Sequence, residues 1–476
     1  MEDYLWDEVV VKKSTSPVFT LNEEQIDIWS DDYLKYHSTT VADYIRESLL
    51  FYEKEGLDPF HEIIGKDAEK DAVKNALMSG SSVLFKGMRG YGKTTFSKSI
   101  MKLLPEKQLA IKGCKINDDP LNPVCFSCKK KVLEDDEVEL TWIPRKWIRI
   151  SGDPMMTTRQ LIGGISIQKL KEGYDLDHPD VFTPGRILRA HRGIGYFDEL
   201  GAVPSALQTL LHELLEERQI TTLEGDLLPM KIDTVFIAST NPANYRGTAD
   251  IKEPLLDRLE EIPIGPPSSL QEEMDVGLKN MSLKMGALLP IWHLKIMARA
   301  VRCARQKDGC GARIESEPSC RATIKLFDHL RAAATRRRHE AAMLTDYGDD
   351  YEVVKLGLRS RIEPDFGEES SKDEIIEKLV EEAINQTCSE IYSAIPEDEF
   401  GDIIEEISLM SDNGINVEQD RDLKECPHCW KFLVLMTESP QEIKSAFEIT
   451  LESIKRCTNL IEKPETGIYT FVGYEQ

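Results

Sequence analysis

The sequence predicts an α/β fold: a parallel sheet flanked by helices, then a helical region, then an acidic and mainly helical C-terminal stretch. Three observations predict it. Short apolar runs at 83–85, 147–150, 194–197 and 235–238 alternate with helix-like segments. Buried strands separated by helices are the pattern of a parallel sheet with crossover connections. The first of these runs leads into a glycine-rich turn and then a helical segment at 96–104. Beyond a Pro/Gly/Ser-rich stretch at 263–269, residues 270–345 read as wholly helical. Further on, Ile375, Ile376, Leu379, Ala383 and Ile384 recur at helical spacing.

These features divide the chain into four parts. Residues 1–58 form an N-terminal helical region, in which the 41–50 segment has helical spacing. Asp58-Pro59-Phe60 marks a boundary, and 59–265 form the α/β domain. Residues 266–345 form a helical domain, and 346–476 an acidic helical region.

Composition narrows the function classes. The chain has 476 residues, 41% apolar, with a net charge of −25. No apolar run approaches the ~20 residues a membrane span needs. Met1-Glu2-Asp3-Tyr4 carries no hydrophobic signal region. A cytoplasmic protein without a membrane partner is expected. A nucleic-acid partner is not, because phosphates are neutralised by clustered Lys and Arg. Between Pro364 and Asp420 there are eighteen acids, two lysines and no arginine. That segment is either a solvated helix face or a dock for a basic partner.

The turn itself reads Gly87-Met88-Arg89-Gly90-Tyr91-Gly92-Lys93-Thr94-Thr95. Gly-x4-Gly-Lys-Thr between a strand and a helix is the arrangement of a phosphate-binding loop. Gly87, Gly90 and Gly92 let the backbone curl its N–H groups toward phosphates, with Tyr91 and Thr95 in the same loop. The positive end of the helix adds to the field. Lys93 is the candidate for the terminal phosphates, and Thr94 for a Mg²⁺ ligand. ATP and Mg²⁺ are therefore the expected cofactors.

Four further motifs follow in order. Gly193-Ile194-Gly195-Tyr196-Phe197-Asp198-Glu199 is an apolar strand ending in two acids. Asp198 is placed to hold Mg²⁺, and Glu199 to polarise an attacking water. The run 235–242 ends in Asn241, whose amide can orient that water. Pro254-Leu255-Leu256-Asp257-Arg258 offers an arginine that can neutralise transition-state charge in a neighbouring subunit, or sit on an ordinary surface. Arg321, opening a helix after Pro318, can contact the same nucleotide.

Taken together and in this order, the motifs resemble the AAA+ ATPases. They are similar above all to the branch holding the ATPase subunit of magnesium chelatase and the MoxR proteins. Two stretches strengthen that likeness: Phe60-His61-Glu62-Ile63-Ile64-Gly65, and 182–193 leading into the acidic strand. A hairpin turning at Gly225 precedes the Asn241 strand, as in that branch. The resemblance covers about residues 59–340. It implies a P-loop AAA+ core with an all-helical lid, acting as a homo-oligomeric ring, usually hexameric, with ATP between neighbours. Lys93, Thr94, Asp198, Glu199 and Asn241 would act from one subunit and Arg258 from the next. Arg321 matches the second sensor arginine. The partner implied is a remodelled protein, often one with a von Willebrand A domain, in metal insertion or a chaperone role. Two other functions remain open at this point: a nucleic-acid motor of the minichromosome maintenance type, and a nucleotide-gated scaffold with little turnover.

The ten cysteines read as reduced thiols or metal ligands. Cys114, Cys125 and Cys128 supply three thiolates of a zinc site, with Asp118 the nearest candidate for the fourth ligand. Reduced thiols without metal are the alternative. Cys426 and Cys429 form a second Cys-x2-Cys pair, and Cys303, Cys310 and Cys320 lie in the helical domain.

Overall fold

A computed structural model of the chain describes residues 9–36, 40–173, 181–217, 220–221, 227–228, 231–242, 251–305, 314–366, 370–410, 414–419 and 422–472. The chain divides into two compact units, 1–265 and 266–476.

The first unit holds two main sheets. β1 (Val18–Leu21) and β2 (Glu24–Ile26) form an antiparallel hairpin. Its two-residue turn, Asn22-Glu23, has φ of 55° and 69°, the left-handed pair that suits the twist of a tight hairpin. β3 (Ser82–Lys86) is followed by β4 (Lys107–Ile111) and β5 (Glu137–Pro144). β5 pairs with β1 in parallel and with β4 in antiparallel, giving a four-stranded sheet in the order β2-β1-β5-β4. The N-terminal region, expected to be helical, therefore contributes two strands. Its long helix is Val41–Glu55, whose first turn is capped by the Thr40 side chain. The correction has a physical reason. Val18-Phe19-Thr20-Leu21 is β-favouring, and pairing with β5 satisfies its backbone.

β6 (Trp147–Ser151) begins the second sheet's edge. β7 (Gly163–Ile165) and β8 (Phe182–Pro184) form a small hairpin beside it. β9 (Gly193–Asp198) carries the acidic motif. β10 (Ile220–Thr221) and β11 (Leu227–Leu228) pair in antiparallel; the expected turn at Gly225 lies outside the described residues. β12 (Thr234–Thr240) and β13 (Leu259–Pro263) complete the set. The main sheet has the order β13-β3-β12-β9-β6, and all its pairings are parallel. Every residue of β12 is buried, as expected of a strand covered on both faces. Helices Asp67–Met78 and Lys93–Met101 pack on this sheet.

The second unit is mainly helical, with the long helices Ile291–Arg305, Cys320–Arg336, Lys372–Ser393 and Ile443–Cys457. Small strands interrupt it. β14 (Ile314–Ser316) pairs with β15 (Glu363–Pro364), and β16 (Ile415–Asn416), β17 (Ile461–Glu465) and β18 (Ile468–Phe471) form a three-stranded sheet. The stretch 270–345, expected to be wholly helical, thus includes one strand. A single apolar core runs from Met274 through Ile376 to Tyr469. The division expected at 345 separates compositions, not packing. Helix Lys372–Ser393 explains why: Ile375, Ile376, Leu379, Val380, Ala383 and Ile384 are buried. Its acids Glu377, Glu381 and Glu390 pair with Lys355, Arg456 and Arg299. Among the described residues, no helix is long and apolar enough to cross a membrane.

Glu448 is an unusual member of that core. It is fully buried; Oε2 accepts from Leu344 N at 2.6 Å, while Oε1 has no hydrogen bond. Burial pushes its carboxyl up to about 7 from 4.5. The fold therefore favours the protonated acid. That stability is present below pH 4.5 and is lost as pH rises to 7. Glu448→Gln keeps the protonated shape, so its urea midpoint should fall less than the parent's between pH 5 and 8, by an amount worth about 3 kcal/mol at most.

Candidate functional site

Parallel register brings the motif-bearing strand ends to one edge of the main sheet. Thr240 pairs with Lys86, and Ser151 with Asp198. The loop after β3, the acids closing β9 and Asn241 after β12 therefore emerge together.

The glycine-rich loop passes from β3 to helix Lys93–Met101. Gly90 and Gly92 have φ of 86° and 93°, a conformation that costs glycine little. Gly87 is constrained differently. A Cβ there would stand 2.1 Å from the Ile264 carbonyl oxygen. Tyr91 is buried, and Thr95 lies in the helix's first turn. Lys93 is buried too. Its ammonium folds back onto the loop, donating to the Gly87 carbonyl and, at 3.1 Å, to the Met88 carbonyl. It also donates to Asn241 Oδ1 at 3.0 Å. The phosphate-loop lysine and the amide after β12 are thus one contact, although 148 residues separate them.

A second chain of contacts joins the helix start to the acids. The hydroxyls of Thr94 and Tyr196 are 3.2 Å apart. The Tyr196 hydroxyl reaches Asp198 Oδ1 at 3.2 Å and Ser239 Oγ at 2.9 Å, and Ser239 Oγ donates to Asp198 Oδ1 at 2.9 Å. Burial pushes the Tyr196 phenol up to about 12, so it stays a neutral hydroxyl. Arg149 on β6 pairs with Asp198 Oδ2. Burial alone would raise the Asp198 carboxyl, but hydrogen bonds from Arg149, Ser239 and Tyr196 outweigh it and hold the group below 3.8. Asp198 is an anion at neutral pH.

Glu199 lies at φ 61°, a left-handed conformation rare outside glycine. Its carboxylate pairs with Arg89 of the glycine-rich loop at 2.8 Å. Gly152 makes room for this bend: a Cβ at Gly152 would stand 2.0 Å from the Glu199 carbonyl oxygen.

Two further expected residues lie on other elements. Arg258 follows helix Glu253–Leu256 and is ion-paired with Glu216 at 3.1 Å and Asp257 at 2.8 Å. Arg321 is exposed in the first turn of helix Cys320–Arg336, in the second unit.

The cysteines expected to hold metal do converge. One ligand atom from each of Cys114, Asp118, Cys125 and Cys128 lies within 4.8 Å of the others. The Sγ atoms of Cys114 and Cys125 are 3.9 Å apart. Hydrogen bonds from the Cys125 and Cys128 thiols hold Cys114 far down in the thiolate range, and those two thiols are pushed up in turn. Cys426 and Cys429 join no such cluster among the described residues. Cys303 and Cys320 are buried, and Cys310 lies outside the described residues.

Residues 137–259 match the AAA domain (dynein-related subfamily), a match that begins after the glycine-rich loop. The magnesium-chelatase subunit ChlI-2 of Arabidopsis thaliana is 29% identical over 204 residues, covering 42% of this chain and 46% of its own length. The ChlI subunit of Synechocystis is 28% identical over 204 residues, covering 42% and 54%. The chain spans about half the length of these curated relatives. A magnesium-chelatase chain from a cryo-EM complex of BchI and BchD covers 65% of this chain and 97% of its own, at 20% identity and a TM-score of 0.35, too weak a likeness to fix any detail. The chain thus carries an AAA+ core related to magnesium-chelatase ATPase subunits, as its motifs suggested.

Four partners in the site had escaped the motif reading: Arg89, Arg149, Tyr196 and Ser239. Tyr196 alone carried a signal. It lies two residues before Asp198 on a strand, so both face the same way.

Substituting Gly87 tests the geometry of the edge. Gly87→Ala places its methyl against backbone rather than a movable side chain. It should lower the thermal midpoint by several degrees, consistent with a cost of about 1–3 kcal/mol, as read by differential scanning calorimetry.

Proposed function

We propose that this chain is an ATP-hydrolysing AAA+ motor that assembles into a homo-oligomeric ring, on the pattern of six subunits, and remodels a protein partner. The observation that carries the reading is the joining of Lys93 to Asn241 and of Thr94, through Tyr196, to Asp198. The donors fit the ligand. An ammonium, a helix start with left-handed glycines, a hydroxyl and an ionised carboxylate are what a Mg²⁺-triphosphate requires.

In this reading Lys93 holds the terminal phosphates, with Gly87, Gly90, Tyr91, Gly92 and Thr95 shaping the cradle around them. Thr94 and Asp198 hold Mg²⁺, which supplies charge neutralisation at the phosphates. Glu199 orients and polarises the water, and Asn241 senses the terminal phosphate through Lys93. The pairs Arg89–Glu199 and Arg149–Asp198 describe a resting site, because each acid is engaged elsewhere. Arg89 and Glu199 are both partly exposed, at 54% and 39%, so that pair costs about 1 kcal/mol or less to open; Asp198 is only 15% exposed and is held more firmly. Arg258 serves the neighbouring subunit after leaving Glu216. Residues 266–345 act as the lid, and Arg321 contacts the nucleotide from it. A protein with a von Willebrand A domain, in metal insertion or a chaperone role, is the partner class this reading favours. The net charge of −25 disfavours a nucleic-acid motor.

Glu199→Gln should retain ATP binding and lose steady-state hydrolysis by about 10²-fold or more; near-normal turnover would remove Glu199 from the mechanism. Undetectable turnover by the parent itself would favour a nucleotide-gated scaffold. Tyr196→Phe should weaken Mg²⁺-dependent ATP binding about tenfold, the worth of one hydrogen bond, measured by calorimetric titration. Arg258→Ala and Lys93→Ala should each be inactive alone. Mixing them under subunit exchange should restore part of the activity, because some mixed interfaces are intact. Absence of rescue would count against the ring.

A further inference from the structure

We propose that Cys114, Asp118, Cys125 and Cys128 bind one structural zinc ion that fastens together two apolar cores of the first unit. The site shares no residue with the proposed nucleotide site.

Geometry is the first support. A tetrahedral zinc with Zn–S bonds near 2.3 Å requires sulfurs about 3.8 Å apart. Cys114 and Cys125 are 3.9 Å apart, too far for a disulfide, whose sulfurs bond at about 2.05 Å. The sulfurs of Cys114, Cys125 and Cys128 and an Asp118 oxygen all lie within 4.8 Å of one another. Three sulfurs and one oxygen make four ligands, the number a closed structural site needs.

The surroundings are built to hold those ligands. Asp118 is fully buried and accepts from Val124 N at 2.9 Å and Cys125 N at 2.8 Å. These bonds fix the loop that carries Cys125. A carboxylate has about four acceptor positions, so capacity for a metal remains. His191 is also buried. Its Nδ1 accepts from Asp233 N at 3.2 Å, which places the ring proton on Nε2. Nε2 makes no hydrogen bond and stands 3.3 Å from Asp118 Oδ1. A buried imidazole beside a ligand carboxylate, with a ring N–H still to place, is a candidate for the outer-shell partner that metal sites use for orientation. Lys146, buried, donates to the Ile116 carbonyl at 3.0 Å and braces the same loop.

The role follows from position. Cys114 and Cys125 pack against the core of the main sheet and also against the core of the four-stranded sheet. Cys128 lies within the second of these. An ion here ties the two cores through one loop. Binding replaces the thiol protons, which pass to solvent.

The test uses the full chain, expressed with added zinc and purified under reducing conditions without chelator. Elemental analysis should find one zinc per chain. Cys125→Ser should lower bound zinc about tenfold or more, and Asp118→Asn should weaken zinc binding by about tenfold. Cys429→Ser should leave zinc unchanged. If Cys125→Ser fails to fold, cobalt titration of the metal-stripped parent replaces it. Tetrahedral thiolate–cobalt charge-transfer bands are expected, together with a higher thermal midpoint on metal binding. No metal after reconstitution, iron in place of zinc, a Cys114–Cys125 disulfide, or full zinc retention in folded Cys125→Ser would each overturn the proposal.

Discussion

Parallel register in the main sheet is the constraint on which the rest of the first unit depends. With β3, β12, β9 and β6 side by side and pointing the same way, four distant stretches of chain end on one edge. Shifting β9 by one residue would turn Tyr196 and Asp198 to the opposite face. The edge is also crowded. Gly87 and Gly152 are two points where backbone passes backbone with no space for a side chain. The chemistry of the edge therefore rests on two absent methyl groups as much as on the charged residues present.

Strands β3, β9 and β12 of the main sheet were legible because each is a continuous apolar run, and β6 because Arg149 is a lone interruption in one. β13 was not, because Leu259-Glu260-Glu261-Ile262-Pro263 is an edge strand with two exposed acids. β5 carried a readable signal of another kind, with Val138 and Leu140 buried between exposed residues. β1 and β2 are too short to announce themselves. The candidate site divides in the same way. The motif residues from Lys93 to Asn241 followed from spacing, since their chemistry needs those residue types. Arg89 and Arg149 did not, because an arginine's partner is set by tertiary geometry alone. The convergence of Cys114, Cys125 and Cys128 was suggested by spacing; the fit of Asp118 depended on a fold of the loop that spacing does not reveal.

The second unit shows how composition can mislead about packing. Its eighteen acids between Pro364 and Asp420 mark a change in surface, yet the apolar core beneath runs unbroken from Met274 to Tyr469. Helix Lys372–Ser393 carries both properties on opposite sides, with its acids matched to arginines and lysines from other elements.

The left-handed backbone at Glu199 has one further consequence. A residue with a Cβ held at φ 61° stores strain of about 1–3 kcal/mol unless its surroundings insist on it. Here they do so from two sides: Ser239 Oγ accepts the Glu199 N–H at 3.4 Å, and Gly152 leaves the space. The bend fixes the direction of the Cα–Cβ bond in the main chain, so the point from which the acid reaches out is set at folding. The carboxylate beyond it still turns about its own side-chain bonds, so exchanging Arg89 for another partner is a rotamer change and leaves the sheet edge as it is.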